Sequence, residues 1–182
     1  MDKVRIGIIG FGHMGNQHSN ALLADKVPNA RLAAIADIDP KKIEKAKALA
    51  GDKVAYFSSA EELMDSGLVD AVILTCPHYF HPVYGVYVLE HGLHYLCEKP
   101  AGVYTNAVKK MNEVAEKSDR VFGVMFNQRT NPLYQKARDL VQSGEVGRIL
   151  HCHWLISSWF RPQSYYDNSD WRATWRGEGG GL

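Results

Sequence analysis

The stretch Val4-Arg5-Ile6-Gly7-Ile8-Ile9, followed at once by Gly10-Phe11-Gly12-His13-Met14-Gly15, decides the fold. The first six residues form a nearly continuous apolar run, as a strand covered on both faces requires. The next six are G-x-G-x-x-G and lead into a helical pattern that lasts to Leu23. In a strand–loop–helix setting the three glycines have separate tasks. They make the tight turn, let a pyrophosphate approach the backbone, and allow close packing of helix on strand. The helix N-terminus adds free N–H groups and the positive end of a dipole. Gly10, Phe11, Gly12, His13, Met14 and Gly15 are therefore the expected phosphate-binding loop.

Outward from this loop, short β-branched runs alternate with helical patterns, which is the pattern of a parallel α/β sheet. Strands are expected at Arg31 to Asp37, Ala71 to Leu74, His94 to Cys97 and Val121 to Phe126. Asp39-Pro40 reads as the N-cap and first residue of a helix closed by Gly51. Ser59-Ala60-Glu61-Glu62 has capping-box spacing for a short helix to about Ser66. Further helices are expected from Pro82 to His91 and from Thr105 to Ser118. Counting one further short strand, six strands with five intervening helical stretches make a doubly wound Rossmann sheet over residues 1–122.

Asp37 closes the second strand, 27 residues after Gly10. A carboxylate there can accept from the adenosine ribose hydroxyls, and its charge repels the extra phosphate of NADP. NAD is thus the expected cofactor. A plain turn residue at position 37 is the competing reading, and Asp39 is the competing carboxylate.

After Phe126 the texture changes. Asn131-Pro132 starts a helix ending near Ser143-Gly144, and Arg148 to Trp159 reads as one long strand. All four tryptophans fall in the last 29 residues, among Arg161, Arg172 and Arg176. One helix, one strand and a loop cannot close a core, so residues 123–182 read as the unfinished start of an α+β substrate domain.

Composition narrows the classes. The 182 residues carry 21 Lys plus Arg and 20 Asp plus Glu, a net charge of +1. That balance argues against a nucleic-acid binder or a polybasic membrane-surface protein. No apolar run approaches the roughly 18 residues that span a bilayer. With no signal-peptide pattern, the cytoplasm is the expected compartment. Cys76, Cys97 and Cys152 form neither a disulfide framework nor a metal clip, and buried reduced thiols are expected. Eight histidines raise a metal site, but His78 with His81 and His151 with His153 lack completing ligands, so no metal is expected.

Two further segments carry a family resemblance. Thr75-Cys76-Pro77-His78-Tyr79-Phe80-His81 follows the fourth strand, and Cys97-Glu98-Lys99-Pro100 follows the fifth. With the glycine loop, the Ser143-Gly144-Glu145-Val146-Gly147 turn and the terminal glycines, they resemble the Gfo/Idh/MocA family of oxidoreductases. The Glu-Lys-Pro position also makes sense alone, because ligands of open parallel sheets sit beyond the strands' carboxyl ends. A surface lysine capping a strand is the alternative.

The resemblance implies that Thr75 and Pro77 line the cofactor and that His81 opens the next helix beside it. Glu98 becomes a contact to the cofactor ribose or nicotinamide side, and Lys99 the catalytic lysine. His78 departs from the asparagine many members carry, which leaves its own role open. Asn127-Gln128-Arg129 falls where the family places a segment beside nicotinamide and substrate, although Arg129 could instead pair with a carboxylate.

Trp159, Arg161, Trp171 and Arg172 could face a sugar ring or simply pack a sheet. The implied activity is hydride transfer between NAD and a hydroxyl-bearing carbon of a sugar, cyclitol or polyol, by a homo-oligomer when full length. A histidine general base would fall beyond Leu182, so the 182-residue form is expected to be catalytically crippled. A non-enzymatic NAD-binding regulator, and an enzyme cleaving a glycosidic bond through transient oxidation, are the rival readings.

Overall fold

The computed structural model describes residues 2–167 and 169–180; Gly181 and Leu182, part of the terminal glycine run, lie outside the described residues. Six strands form one sheet: β1 (Val4–Ile9), β2 (Ala30–Ala36), β3 (Ala55–Phe57), β4 (Ala71–Leu74), β5 (His94–Glu98) and β6 (Phe122–Met125). Their spatial order is β3-β2-β1-β4-β5-β6, and every neighbouring pair is parallel. The chain builds outward from β1 in one direction, then returns to β4 and builds outward in the other. The order therefore reverses between β1 and β4, where a doubly wound sheet opens a crevice at its carboxyl edge.

Five helices make the crossovers: α1 (His13–Leu23), α2 (Pro40–Ala50), α3 (Ala60–Asp65), α4 (His81–Glu90) and α5 (Thr105–Lys117). Strand parity sorts the side chains onto two faces. Val72, Leu74, Tyr95 and Cys97 join one core with Leu63, Met64, Val88 and Met111. Ile73 turns to the other, with Ile8, Ile35, Leu22 and Ala46. Each fully buried aliphatic side chain contributes roughly 1.5–3 kcal/mol to this two-sided packing.

Helix starts follow their capping chemistry. The Asp39 carboxylate accepts from the Lys41 N–H at 2.9 Å, with Pro40 at the first helical position. Ser59 accepts from the Glu62 N–H at 3.1 Å, but the return bond differs from a full capping box. Glu62 reaches back to the Ser58 N–H (3.3 Å) and hydroxyl (3.0 Å) instead.

The described residues up to Met125, together with those from Ala173 on, form one compact unit, and Phe126–Arg172 forms another. Within the first unit, α8 (Trp175–Glu178) packs against the 3-10 turn His78–Phe80. The second unit holds α6 (Pro132–Gln142), capped by Asn131, and the short α7 (Gln163–Asp167). The strand expected from Arg148 to Trp159 is not formed. A strand needs a ladder partner, and the described residues of this unit include no other strand to supply one. Its apolar side chains stand out accordingly, with Leu155 91% and Phe160 84% exposed.

Among the described residues no helix is long and apolar enough to cross a membrane. Cys97 is buried and Cys76 partly so, whereas Cys152 is exposed, against the expectation of three buried thiols. Position 152 lies on the segment that fails to pair, so nothing covers it.

Candidate functional site

Strand register brings the chemistry to one edge. Ile9, the last residue of β1, lies opposite Ala36 of β2 and Leu74 of β4, and Leu74 lies opposite Cys97 of β5. The next residues are Gly10, Asp37, Thr75 and Glu98, so four segments singled out in the sequence leave the sheet at one level.

The glycine loop has the geometry its sequence demands. Gly10 has φ +93°, and a Cβ there would lie 2.9 Å from the Cys76 backbone nitrogen. A Cβ on Gly15 would come within 2.1 Å of the Gly10 carbonyl oxygen, so α1 can approach β1 only with glycine at that position. Gly12 is different, since a Cβ there would meet nothing within 4 Å. It caps α1 without a side-chain hydrogen bond, and the first turn holds no acidic residue. Open space in front of an uncapped helix N-terminus suits a bound pyrophosphate.

Asp37 is nearly enclosed. Its Oδ2 accepts the Phe11 N–H at 2.7 Å and lies 3.5 Å from Lys42 Nζ, while Oδ1 accepts the Asp39 N–H at 2.9 Å. Two backbone donors fix the carboxylate, and the half-exposed Lys42 ammonium stands beside it. Phe11 is tied into the protein at two points. Its ring is buried in the core and its N–H is spent on Asp37. His13 is exposed and its Nε2 lies 2.8 Å from Gln17 Nε2, and Met14 is half-buried.

Thr75 ties the β1 and β4 ends together: its N–H donates to the Ile9 carbonyl at 2.9 Å, and its hydroxyl donates to Ile9 and Gly10 carbonyls. Pro77 precedes the 3-10 turn and stays half-buried. His81 is 1% exposed, and both ring nitrogens face backbone carbonyl oxygens, those of Pro100 (2.7 Å) and Cys76 (3.0 Å). A direct contact to cofactor from this ring is thus closed off.

Glu98 is turned inward as well. Its Oε1 lies 2.7 Å from His18 Nε2, and its Oε2 accepts the Lys99 N–H at 3.2 Å. This makes Glu98 a strut between α1 and β5. His18 had no site role in the sequence reading. The signal was present, because Gly15, His18, Ser19 and Leu22 make an i, i+3, i+4, i+7 stripe on α1. Lys99 is exposed, and among the described residues no ion pair or hydrogen bond holds its ammonium. The Lys99–Pro100 peptide is cis.

Asn127, Arg129, Trp159, Arg161, Trp171 and Arg172 belong to the other unit. Asn127 opens a 3-10 turn in which the Arg129 guanidinium lies 5.0 Å over the Phe126 ring. Arg161 and Arg172 both lie over Tyr165, at 5.1 and 4.2 Å, and Arg161 also over Trp159 and Arg172 over Trp171. Aromatic and guanidinium groups are gathered there. Among the described residues, no three His, Cys, Asp or Glu side chains converge to hold a metal ion.

Residues 4–126 match the model of an oxidoreductase family with an NAD-binding Rossmann fold, Gfo/Idh/MocA. The chain belongs to the Gfo/Idh/MocA family. Residues 134–182 match that family's C-terminal domain. Among relatives, an inositol 2-dehydrogenase of Corynebacterium glutamicum is 33% identical over 81% of this chain and 44% of its own length.

Solved structures agree. The WlbA dehydrogenase from Bordetella pertussis, in complex with NADH and UDP-GlcNAcA, superposes with TM-score 0.85 at 28% identity. That match covers 97% of this chain and 53% of WlbA. The scyllo-inositol dehydrogenase from Lactobacillus casei, with NAD(H) and scyllo-inositol, gives TM-score 0.75 at 28% identity, covering 81% and 43%. This Gfo/Idh/MocA chain spans about half the length of the relatives it matches.

Proposed function

We propose that this chain provides the dinucleotide site and the lysine of a dehydrogenase. The reaction moves a hydride between NAD and a hydroxyl-bearing carbon of a sugar, cyclitol or polyol. The observation that carries the reading is the shared carboxyl edge of β1, β2, β4 and β5. It gathers an uncapped helix N-terminus, a fixed carboxylate and an exposed ammonium at one level.

When bound, the nicotinamide supplies the carbon that takes or gives the hydride. The rest falls to the protein. Gly12 and the α1 N-terminus hold the pyrophosphate, and Asp37 accepts from the adenosine ribose once Lys42 moves aside. The charge on Asp37 opposes a second phosphate, so NAD is preferred to NADP. Thr75 and Pro77 form the floor beside β4. Lys99 holds the reacting hydroxyl and favours the charge that develops on its oxygen as the hydride leaves.

The test is Lys99→Ala in the complete natural polypeptide, assayed with NAD and a panel of inositols and sugars. NADH affinity should stay within about threefold, while turnover falls by about two orders of magnitude or more. Unchanged turnover would remove Lys99 from the mechanism, and a regulator without dehydrogenase activity would be indifferent to the change.

A second substrate reading has its own support. The likeness to WlbA runs over 97% of this chain, against 81% for the scyllo-inositol enzyme. Arg161 and Arg172 also suit an anionic partner. An acidic sugar nucleotide therefore belongs in the panel beside the neutral cyclitols, and the ratio of kcat/KM between them decides the class.

A further inference from the structure

His81 opens α4 from a position almost wholly removed from solvent. Its Nδ1 lies 2.7 Å from the Pro100 carbonyl oxygen and its Nε2 lies 3.0 Å from that of Cys76. Both oxygens can only accept. A neutral imidazole carries one N–H, so it bonds to one carbonyl and turns a lone pair toward the other. The doubly protonated ring donates to both. Cys76 belongs to the segment after β4 and Pro100 to the segment after β5, with Lys99 next to Pro100. The ring therefore spans the two segments that the proposed site uses.

The groups facing this ring come from every element around it. Burial disfavours the cationic ring and holds its pKa below the usual histidine value, although the Pro100 and Cys76 carbonyls and the Glu98 carboxylate favour the cation. Cys76 and Cys97 stay protonated because burial raises their thiols to about 12 and about 11. The Tyr95 hydroxyl donates to the His81 carbonyl at 3.0 Å, and burial raises its pKa too. The His78 ring centroid lies 5.7 Å away. The Glu98 carboxylate also accepts the Lys99 N–H, which joins the surroundings of the ring to the backbone of the lysine.

We propose that His81 is the positioning residue for Lys99. Its ring straps the Lys99–Pro100 segment to the segment after β4, and the strap is complete only when both ring nitrogens carry a proton. Above the ring's pKa the bond to Pro100, the shorter of the two, is kept and the bond to Cys76 is lost. The link to function rests on the dinucleotide reading above, in which the nicotinamide end lies against these two segments.

The direct test is long-range proton–nitrogen NMR of the imidazoles from about pH 4 to about pH 8, a window that reaches below the ordinary histidine range because burial lowers this ring's pKa. His81 should change from two protonated nitrogens to a protonated Nδ1 alone. One protonated nitrogen throughout would overturn the strap. NAD titration of three forms reads the consequence. His81→Phe, which keeps the bulk and loses both donors, should bind NAD about tenfold more weakly. His81→Gln, whose amide carries two N–H groups, should stay within about threefold of wild type and lose the pH dependence of binding. Equal affinity and an equal pH profile in all three would refute the positioning role. No binding by any form would refute the dinucleotide reading instead, while the ring spectrum still decides the strap.

Discussion

The Asp37 carboxylate accepts the Phe11 N–H at 2.7 Å, fastening the end of β2 to the glycine loop across 26 residues of sequence. One side chain thereby shapes the loop and, in the proposed function, carries the charge that meets the cofactor. Asp37→Ser should weaken NAD binding by about tenfold or more, through loss of a charged hydrogen bond worth roughly 1.5–3 kcal/mol. NADP should lose less, so the NADP-to-NAD affinity ratio should rise. Calorimetric titration of both dinucleotides checks this, and an unchanged ratio would take Asp37 out of cofactor selection.

Gly12 and Gly15 separate binding from folding. Gly12→Val adds a side chain in open space, so stability should shift by no more than about 0.5 kcal/mol. Its side chain occupies the phosphate approach, so NAD affinity should fall at least about tenfold. Gly15→Ala drives a methyl group into the Gly10 carbonyl and should cost about 2 kcal/mol or more in urea unfolding. Equal effects of the two substitutions on both measurements would contradict the assigned roles.

The thiols sort by burial. Burial raises Cys76 to about 12 and Cys97 to about 11, so neither presents a thiolate at neutral pH. Cys152 is exposed. A thiol reagent followed by mass spectrometry should add one label to the folded chain, at Cys152, and three labels in denaturant.

At the opposite edge of the sheet, the Arg5 guanidinium and N–H both donate to Asp70 and hold its carboxyl below the usual carboxylate range. A depressed folded-state pKa gives stability that is present above the unfolded value, about pH 4, and fades as pH falls below it. Asp70→Asn should lower the melting temperature at neutral pH and flatten the acid limb of the stability profile. Partial exposure of the pair keeps the effect modest and sensitive to salt.

Much of the first unit was legible because its signals are local. The apolar run of β1 next to the glycine loop, and Asp39-Pro40 at the head of α2, each specify structure within a few residues. The third strand was counted but not placed, since Ala55–Phe57 is too short to show a period. The Glu98 pairing with His18 joins residues 80 apart, and only the fold discloses such a contact. The same holds for His81, whose ring is claimed by two backbone oxygens that no side-chain pattern encodes. Arg148 to Trp159 shows the converse: strand propensity is not sufficient where no ladder partner stands beside it.

The central claim is that a dinucleotide lies across the carboxyl edge of this sheet. Amide chemical-shift mapping of the isotope-labelled chain during NADH titration tests it most directly. Saturable shifts centred on Gly10, Gly12, His13, Met14, Gly15 and Thr75 are expected. Shifts that never saturate, or that saturate while leaving those amides unmoved, would contradict it.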